Sequence, residues 1–230
     1  VSPSPVPPVA PVQSFKLRRG RMGVVRQEAL AEHLGRYEVR ADTDLDPVAL
    51  FGNDHPVVLE IGSGMGDATL AMALAAPEVN VVAAEVHTPG IGALLQGVVE
   101  HGVTNVRLLE ADGRTFLTER VAPGSLAGVR VYFPDPWPKA RHHKRRLVGP
   151  DFVALVADRL APGGLLHCAT DWEPYAEQMV EVVAANPAFT LDPDRSRPAW
   201  RPLTRFERRG LALGHVVNDV LARRTATPRP

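Results

Sequence analysis

The chain has 230 residues, 45% hydrophobic and 23% charged, the balance of a soluble globular protein of one domain, or of one domain with extensions. No apolar run approaches the roughly 18 residues of a membrane span, and a single cysteine, Cys168, excludes an intramolecular disulfide and a thiolate-rich metal site. Formal net charge is zero, no membrane partner is implied, and the cytoplasm is the expected location.

Residues 1–13 carry five prolines and little to pack, and are expected to form a disordered arm. Residues 14–224 read as one domain and 225–230 as a flexible tail. Gln27 to Leu34 has the pattern of a short helix. From Pro56 onward apolar strands alternate with helices. The strands are expected at Val57–Ile61, Val79–Val86, Val106–Leu109, Val129–Phe133 and Leu165–Ala169. The helices are expected near Asp67–Ala76, Pro89–His101, Arg114–Val121, Pro150–Leu160 and Trp172–Ala185. Phe189–Leu191 and Leu213–Val220 are expected to supply an antiparallel closing pair. The fold class is α/β: a Rossmann-like, doubly wound, mostly parallel sheet with helices on both faces.

The turn after the first strand reads Glu60-Ile61-Gly62-Ser63-Gly64-Met65-Gly66. Gly62 and Gly64 let a ligand approach the backbone, and the helix that follows points its positive end there. The spacing is G-x-G-x-G, whereas a dinucleotide fingerprint needs G-x-G-x-x-G, which disfavours an NAD-dependent oxidoreductase. Acids close three consecutive strands. Glu85 ends the second, where a carboxylate can accept from both ribose hydroxyls. Asp112 follows the third, where it can accept from an adenine amino group. Glu60 ends the first, where it could hold an ammonium. The glycine spacing with its preceding acid is similar to the first motif of S-adenosylmethionine-dependent methyltransferases.

Phe133 to Arg146, F-P-D-P-W-P-K-A-R-H-H-K-R-R, follows the fourth strand. Three prolines without an N–H force the chain out of the sheet there. Asp135 can read the donor edge of a base, Trp137 can stack on one, and the five cations suit phosphates. The zero net charge hides a segregation. Residues 14–26, 139–146 and 195–209 together hold sixteen of the 26 Lys and Arg and only one acid, Glu207. On one face they would create a strong positive field.

These residues resemble the bacterial tRNA (guanine-N7)-methyltransferases. The resemblance runs from Ser14-Phe15 through L-E-I-G-S-G-M-G, A-E-V-H and the Phe133–Arg146 signature to Ala169-Thr170-Asp171 and Thr204-Arg205-Phe206-Glu207. It implies a methyl transfer from S-adenosyl-L-methionine to N7 of a guanine in the tRNA variable loop, usually position 46. It places the cofactor on Glu60, Glu85, Asp112 and Asp135, with Asp135 catalytic. It places guanine and RNA contacts on Lys139, Asp171, Thr204, Arg205, Phe206 and Glu207. Arg141, His142, His143, Lys144, Arg145 and Arg146 then face the RNA backbone, and no metal is implied. Pro138 and Ala140 depart from the family pattern, where His and a basic residue are common.

Guanine N7 carries an in-plane lone pair and no proton, so its attack on a methyl group needs no general base. A carboxylate accepting from N1–H and the 2-amino group would orient the purine and stabilise its developing charge. Both Asp135 and Asp171 have that chemistry. Asp171 could instead cap the helix beginning at Trp172, and Thr204–Glu207 could be a plain turn. Two alternatives arise from the same residues. D-P-W is similar to the D-P-P-Y loop of enzymes that methylate exocyclic amines, although the consecutive prolines are missing. A non-catalytic RNA-binding module would not need Glu60, Glu85 and Asp112. The sequence is compatible with a monomer or a homodimer.

Overall fold

The computed structural model describes residues 14–15 and 22–226. The expected N-terminal arm and Lys16, Arg18, Arg19 and Arg21 lie outside the described residues, as do residues 227–230 of the tail. Seven strands form one sheet: β1 (Val57–Ile61), β2 (Asn80–Ala84), β3 (Val106–Leu109), β4 (Leu126–Tyr132), β5 (Leu160–Thr170), β6 (Phe189–Leu191) and β7 (Asn218–Arg224). Their order is β3-β2-β1-β4-β5-β7-β6. The first five are parallel, and β7 runs antiparallel to both β5 and β6.

Parallel strands need crossover helices, and these cover both faces. Helices α1 (Val24–Tyr37), α3 (Asp67–Ala75) and α4 (Thr88–Glu100) lie on one side. Helices α5 (Gly113–Glu119), α6 (Pro150–Arg159) and α7 (Glu173–Ala184) lie on the other. Strand β2 shows the division residue by residue. Val81 and Ala83 pack with Ile91, Leu94 and Leu95, while Val82 and Ala84 pack with Phe116, Phe152 and Val153. Successive side chains of a strand turn to opposite faces, so a run of small apolar residues serves two cores at once.

Helix α1 and strands β4 and β5 begin earlier than expected and β2 is shorter, and two further differences change the element order or the closing strand. A short helix, α2 (Pro47–Phe51), precedes β1, capped by Asp46, whose carboxylate accepts from the Ala49 N–H at 3.0 Å. The closing strand is Asn218–Arg224 instead of Leu213–Val220, because helix α8 (Arg205–Ala212) runs on to a cap at Leu213. Leu213 and Val216 are each 69% exposed, so their apolar character builds no strand. The residues that do are Val220 and Ala222, buried at the alternation a central strand requires.

Candidate active site

A cleft of about 320 Å³ opens at the C-terminal ends of β1 to β4. Strand order reverses between β1 and β4, the position where open α/β sheets bind ligands. Its walls include Gly62, Gly64, Glu85, Asp112, Tyr132, Phe133 and Asp135. Three of the expected cofactor acids therefore converge on one cavity. Glu60 sits just behind it, 2% exposed.

Close packing shapes the glycine turn. Gly66 has φ 82°, and a Cβ there would stand 2.6 Å from Leu94. Gly90, in the first turn of α4, would place a Cβ 2.3 Å from the Gly64 carbonyl oxygen. Glu85 fastens the same turn. Its Oε2 accepts from Gly64 N–H at 2.8 Å, and its Oε1 accepts from Val86 and His87 N–H. Asp112 caps α5, accepting from Arg114 N–H and Thr115 Oγ1–H. Carboxylate oxygens have further lone pairs, so these bonds orient both acids without exhausting them. Glu60 Oε1 accepts from Thr69 Oγ1–H at 2.9 Å, while Oε2 is buried without a hydrogen-bond partner. Burial raises the Glu60 pKa, opposed by Arg130 and by the Thr69 bond.

The loop after β4 is strained. Phe133 (φ 52°) and Trp137 (φ 44°) are both left-handed, which costs roughly 1–2 kcal/mol for each such residue. Between them Asp135 faces the cleft. Trp137 is 6% exposed; its Nε1–H donates to the Ser14 carbonyl at 2.9 Å, and the Arg145 guanidinium lies 4.2 Å over its ring. The expectation that the indole stacks on a base is therefore corrected: it is an internal anchor that ties Ser14 and Phe15 to the cleft wall. Arg146 also turns inward. It is buried, donating to the Pro136 carbonyl at 2.9 Å and to Gln178 Oε1 at 2.6 Å, with its guanidinium over Tyr175. It braces the loop from behind, and its NH2 is buried without a hydrogen-bond partner. Lys139, Arg141, His143 and Lys144 are exposed on the loop and its short 3-10 helix. Burial and the neighbouring Arg141, Arg145, Lys139 and Lys144 lower the His142 pKa, which leaves it neutral near pH 7.

Asp171 does not cap α7; Trp172 holds that position, and Asp171 Oδ2 lies 3.0 Å from His215 Nδ1. Thr204–Glu207 is no plain turn. Thr204 caps α8 by accepting from the Glu207 N–H. Phe206 is exposed, and its ring meets Phe133 at 5.0 Å. Glu207 is 2% exposed and forms a fork with Arg201, a pairing the sequence did not indicate.

Sequence reasoning missed the buried polar chain behind the cleft. Tyr132 Oη lies 2.8 Å from His167 Nδ1, and His167 Nε2 lies 2.6 Å from Asp219 Oδ1. Arg201 Nε and NH2 donate to the Asp219 oxygens at 2.6 and 2.8 Å. His167 interrupts an apolar strand, and that was the available signal; Asp219 follows Asn218 at the start of β7 and gave none. The segregated charge also needs correction. Arg146 and Arg201 are spent on internal partners, and Arg195 and Arg197 lie 3.8 and 3.7 Å from Glu173 and Glu207. Arg208 and Arg209 of the third stretch are exposed on α8. Among the described residues no group of His, Cys, Asp or Glu is placed to hold a metal, and no helix is long and apolar enough to cross a membrane.

The sheet order and the position of the cleft define a Rossmann-like methyltransferase fold. Solved structures with that fold include the 16S rRNA methyltransferase KamB (TM-score 0.56, 18% identity, 81% of this chain and 96% of that one). Another is an rRNA methylase from Streptococcus thermophilus (TM-score 0.51, 16% identity, 75% and 89%). A family model for methyltransferases, Methyltransf_4, matches residues 54–220. The tRNA (guanine-N(7)-)-methyltransferase of Streptomyces avermitilis is 53% identical over 93% of this chain and 75% of its own length. That of Nitrosomonas europaea is 46% identical over 94% and 98%. The chain belongs to the tRNA (guanine-N7)-methyltransferase family.

Proposed function

We propose that this chain methylates N7 of a guanine in the variable loop of tRNA, guanosine 46, using S-adenosyl-L-methionine in the cytoplasm. The observation that carries the proposal is the meeting of Glu85, Asp112 and Asp135 in one cleft beside the glycine turn. Glu85 is oriented to accept from ribose hydroxyls and Asp112 from the adenine amino group. The unpartnered Oε2 of Glu60 fits a methionine ammonium, whose charge would relieve the burial that raises this carboxyl's pKa. When bound, the cofactor supplies the electrophilic sulfonium methyl.

Asp135 orients the guanine by accepting from N1–H and the 2-amino group, and its charge balances the cation that forms on the purine. N7 needs no deprotonation, so no residue is required as a base. Phe133 lines the cleft and the exposed Phe206 packs against it, so the pair offers apolar faces to the base. Arg141, Lys144 and Lys139 follow the phosphates. The test is incubation with methyl-labelled cofactor and bulk tRNA, followed by digestion to nucleosides. Label in 7-methylguanosine is expected; label in N6-methyladenosine or N4-methylcytidine would overturn the proposal.

A further inference from the structure

Arg201 is fully buried, yet it lies in the segment preceding α8, among cations that a sequence assigns to RNA. Its fork divides between two elements. Nε and NH2 hold Asp219 on β7, and NH1 and NH2 hold Glu207 in the first turn of α8 at 2.7 and 2.9 Å. Its Cζ is also 5.7 Å from the ring centres of both Tyr132 and Phe133, at the end of β4. Burial lowers the Arg201 pKa, but Glu207 and Asp219 outweigh it and the net shift is upward, so the guanidinium stays charged.

The rest of the chain of hydrogen bonds has a fixed direction. Asp219 only accepts, so His167 Nε2 carries the proton, and Nδ1 accepts from the Tyr132 hydroxyl. A buried ion pair is a weak source of stability compared with apolar packing. Three ionised side chains kept in the interior instead specify where one element sits against another. Here the elements are the helix bearing Thr204 and Phe206 and the strand end leading to Asp135.

We infer that Arg201 is a positioning residue for methyl transfer, locking the first turn of α8 to the end of β4 so that Phe206 and the cleft-lining Phe133 it packs against are held as one body with the loop bearing Asp135. The inference rests on the proposed function for its catalytic consequence, but its mechanical part is independent of it. Only a planar, multidentate cation satisfies both carboxylates together.

The test is Arg201→Lys, which keeps the charge and removes the fork. With tRNA and cofactor saturating, the single-turnover rate should fall on the order of tenfold to a hundredfold. S-adenosylhomocysteine should still bind at full stoichiometry and with affinity within about twofold of the parent, since a loosened α8 leaves the glycine turn intact. Amide exchange over residues 205–212 should rise, while β1 to β3 stay protected. If the lysine variant does not fold, Glu207→Gln, which cuts the same fork from the other side, should give the same split. The double variant should be no slower than the slower single one. A folded lysine variant with near-parental turnover and unchanged exchange in α8 would overturn the inference, as would rates that multiply in the double variant. A rate decrease matched by a decrease in S-adenosylhomocysteine stoichiometry signals missing folded protein and hands the decision to Glu207→Gln, whose near-parental turnover would overturn the inference. A parent protein inactive on tRNA would sink the proposed function alone, since the exchange experiment still decides the positioning role.

Discussion

Asp135 stands in a loop whose flanking residues, Phe133 and Trp137, both take left-handed backbone angles. Such angles persist only where surrounding contacts over-determine them. The contacts are visible: Trp137 is bonded to Ser14 and covered by Arg145, and Arg146 grips the Pro136 carbonyl. Asp135→Asn keeps this scaffold and turns an acceptor into a partial donor. Turnover on tRNA should fall roughly a hundredfold or more with little change in melting temperature; near-parental turnover would move the guanine contact to Asp171. His167 gives a second residue-scale expectation. Burial lowers its pKa, with Arg201 and Arg130 assisting and Asp219 opposing. Its folded pKa therefore lies below the unfolded value of about 6.5. As pH falls through that value, the unfolded chain gains a proton that the folded protein refuses, and stability falls until the folded pKa is passed. Denaturation midpoints should drop from about pH 7 toward 5, and His167→Gln should flatten that slope.

The parallel core was legible because each strand is a short apolar run followed by a helical pattern and a glycine or acid. Strands β1 and β3 coincide with their expected bounds, and β6 does as well. The closing strand was not legible. Leu213, Val216 and Val217 form the most apolar cluster near the end of the chain, but α8 runs into it. The actual strand hides Asn218 and Asp219 by pairing them with Glu173 and Arg201. No local pattern reveals such long-range pairing, and for the same reason the internal partners of Arg146 and Glu207 were not legible. The contact of α4 with the glycine turn was equally invisible, since Gly90 lies outside the motif. Gly90→Ala would push Cβ into the Gly64 carbonyl. It should cost about 1–3 kcal/mol of stability and weaken S-adenosylhomocysteine binding more than tRNA binding. Calorimetry on both ligands checks this, and equal weakening would contradict it.

Across the whole molecule, charge is segregated although it sums to zero. The described cations left at the surface are fewer than the sequence suggests, because Arg146 and Arg201 are buried. Arg141 and Lys144 are exposed beside the cleft loop. Arg141→Ala with Lys144→Ala should weaken tRNA binding and reduce its salt slope by roughly one unit for each phosphate no longer neutralised. Arg146→Ala should instead lower the melting temperature. A double variant with an unaltered salt slope would place the RNA on another face.

Whether this cleft serves one atom of one base is decided by where the methyl group goes. A tRNA transcript methylated by this protein, then reduced and treated with aniline, breaks wherever N7 of guanine carries a methyl. Scission should occur at guanosine 46 and vanish in a transcript with adenosine there. Scission at other guanines, or methyl incorporation that persists without scission, would overturn the proposed function.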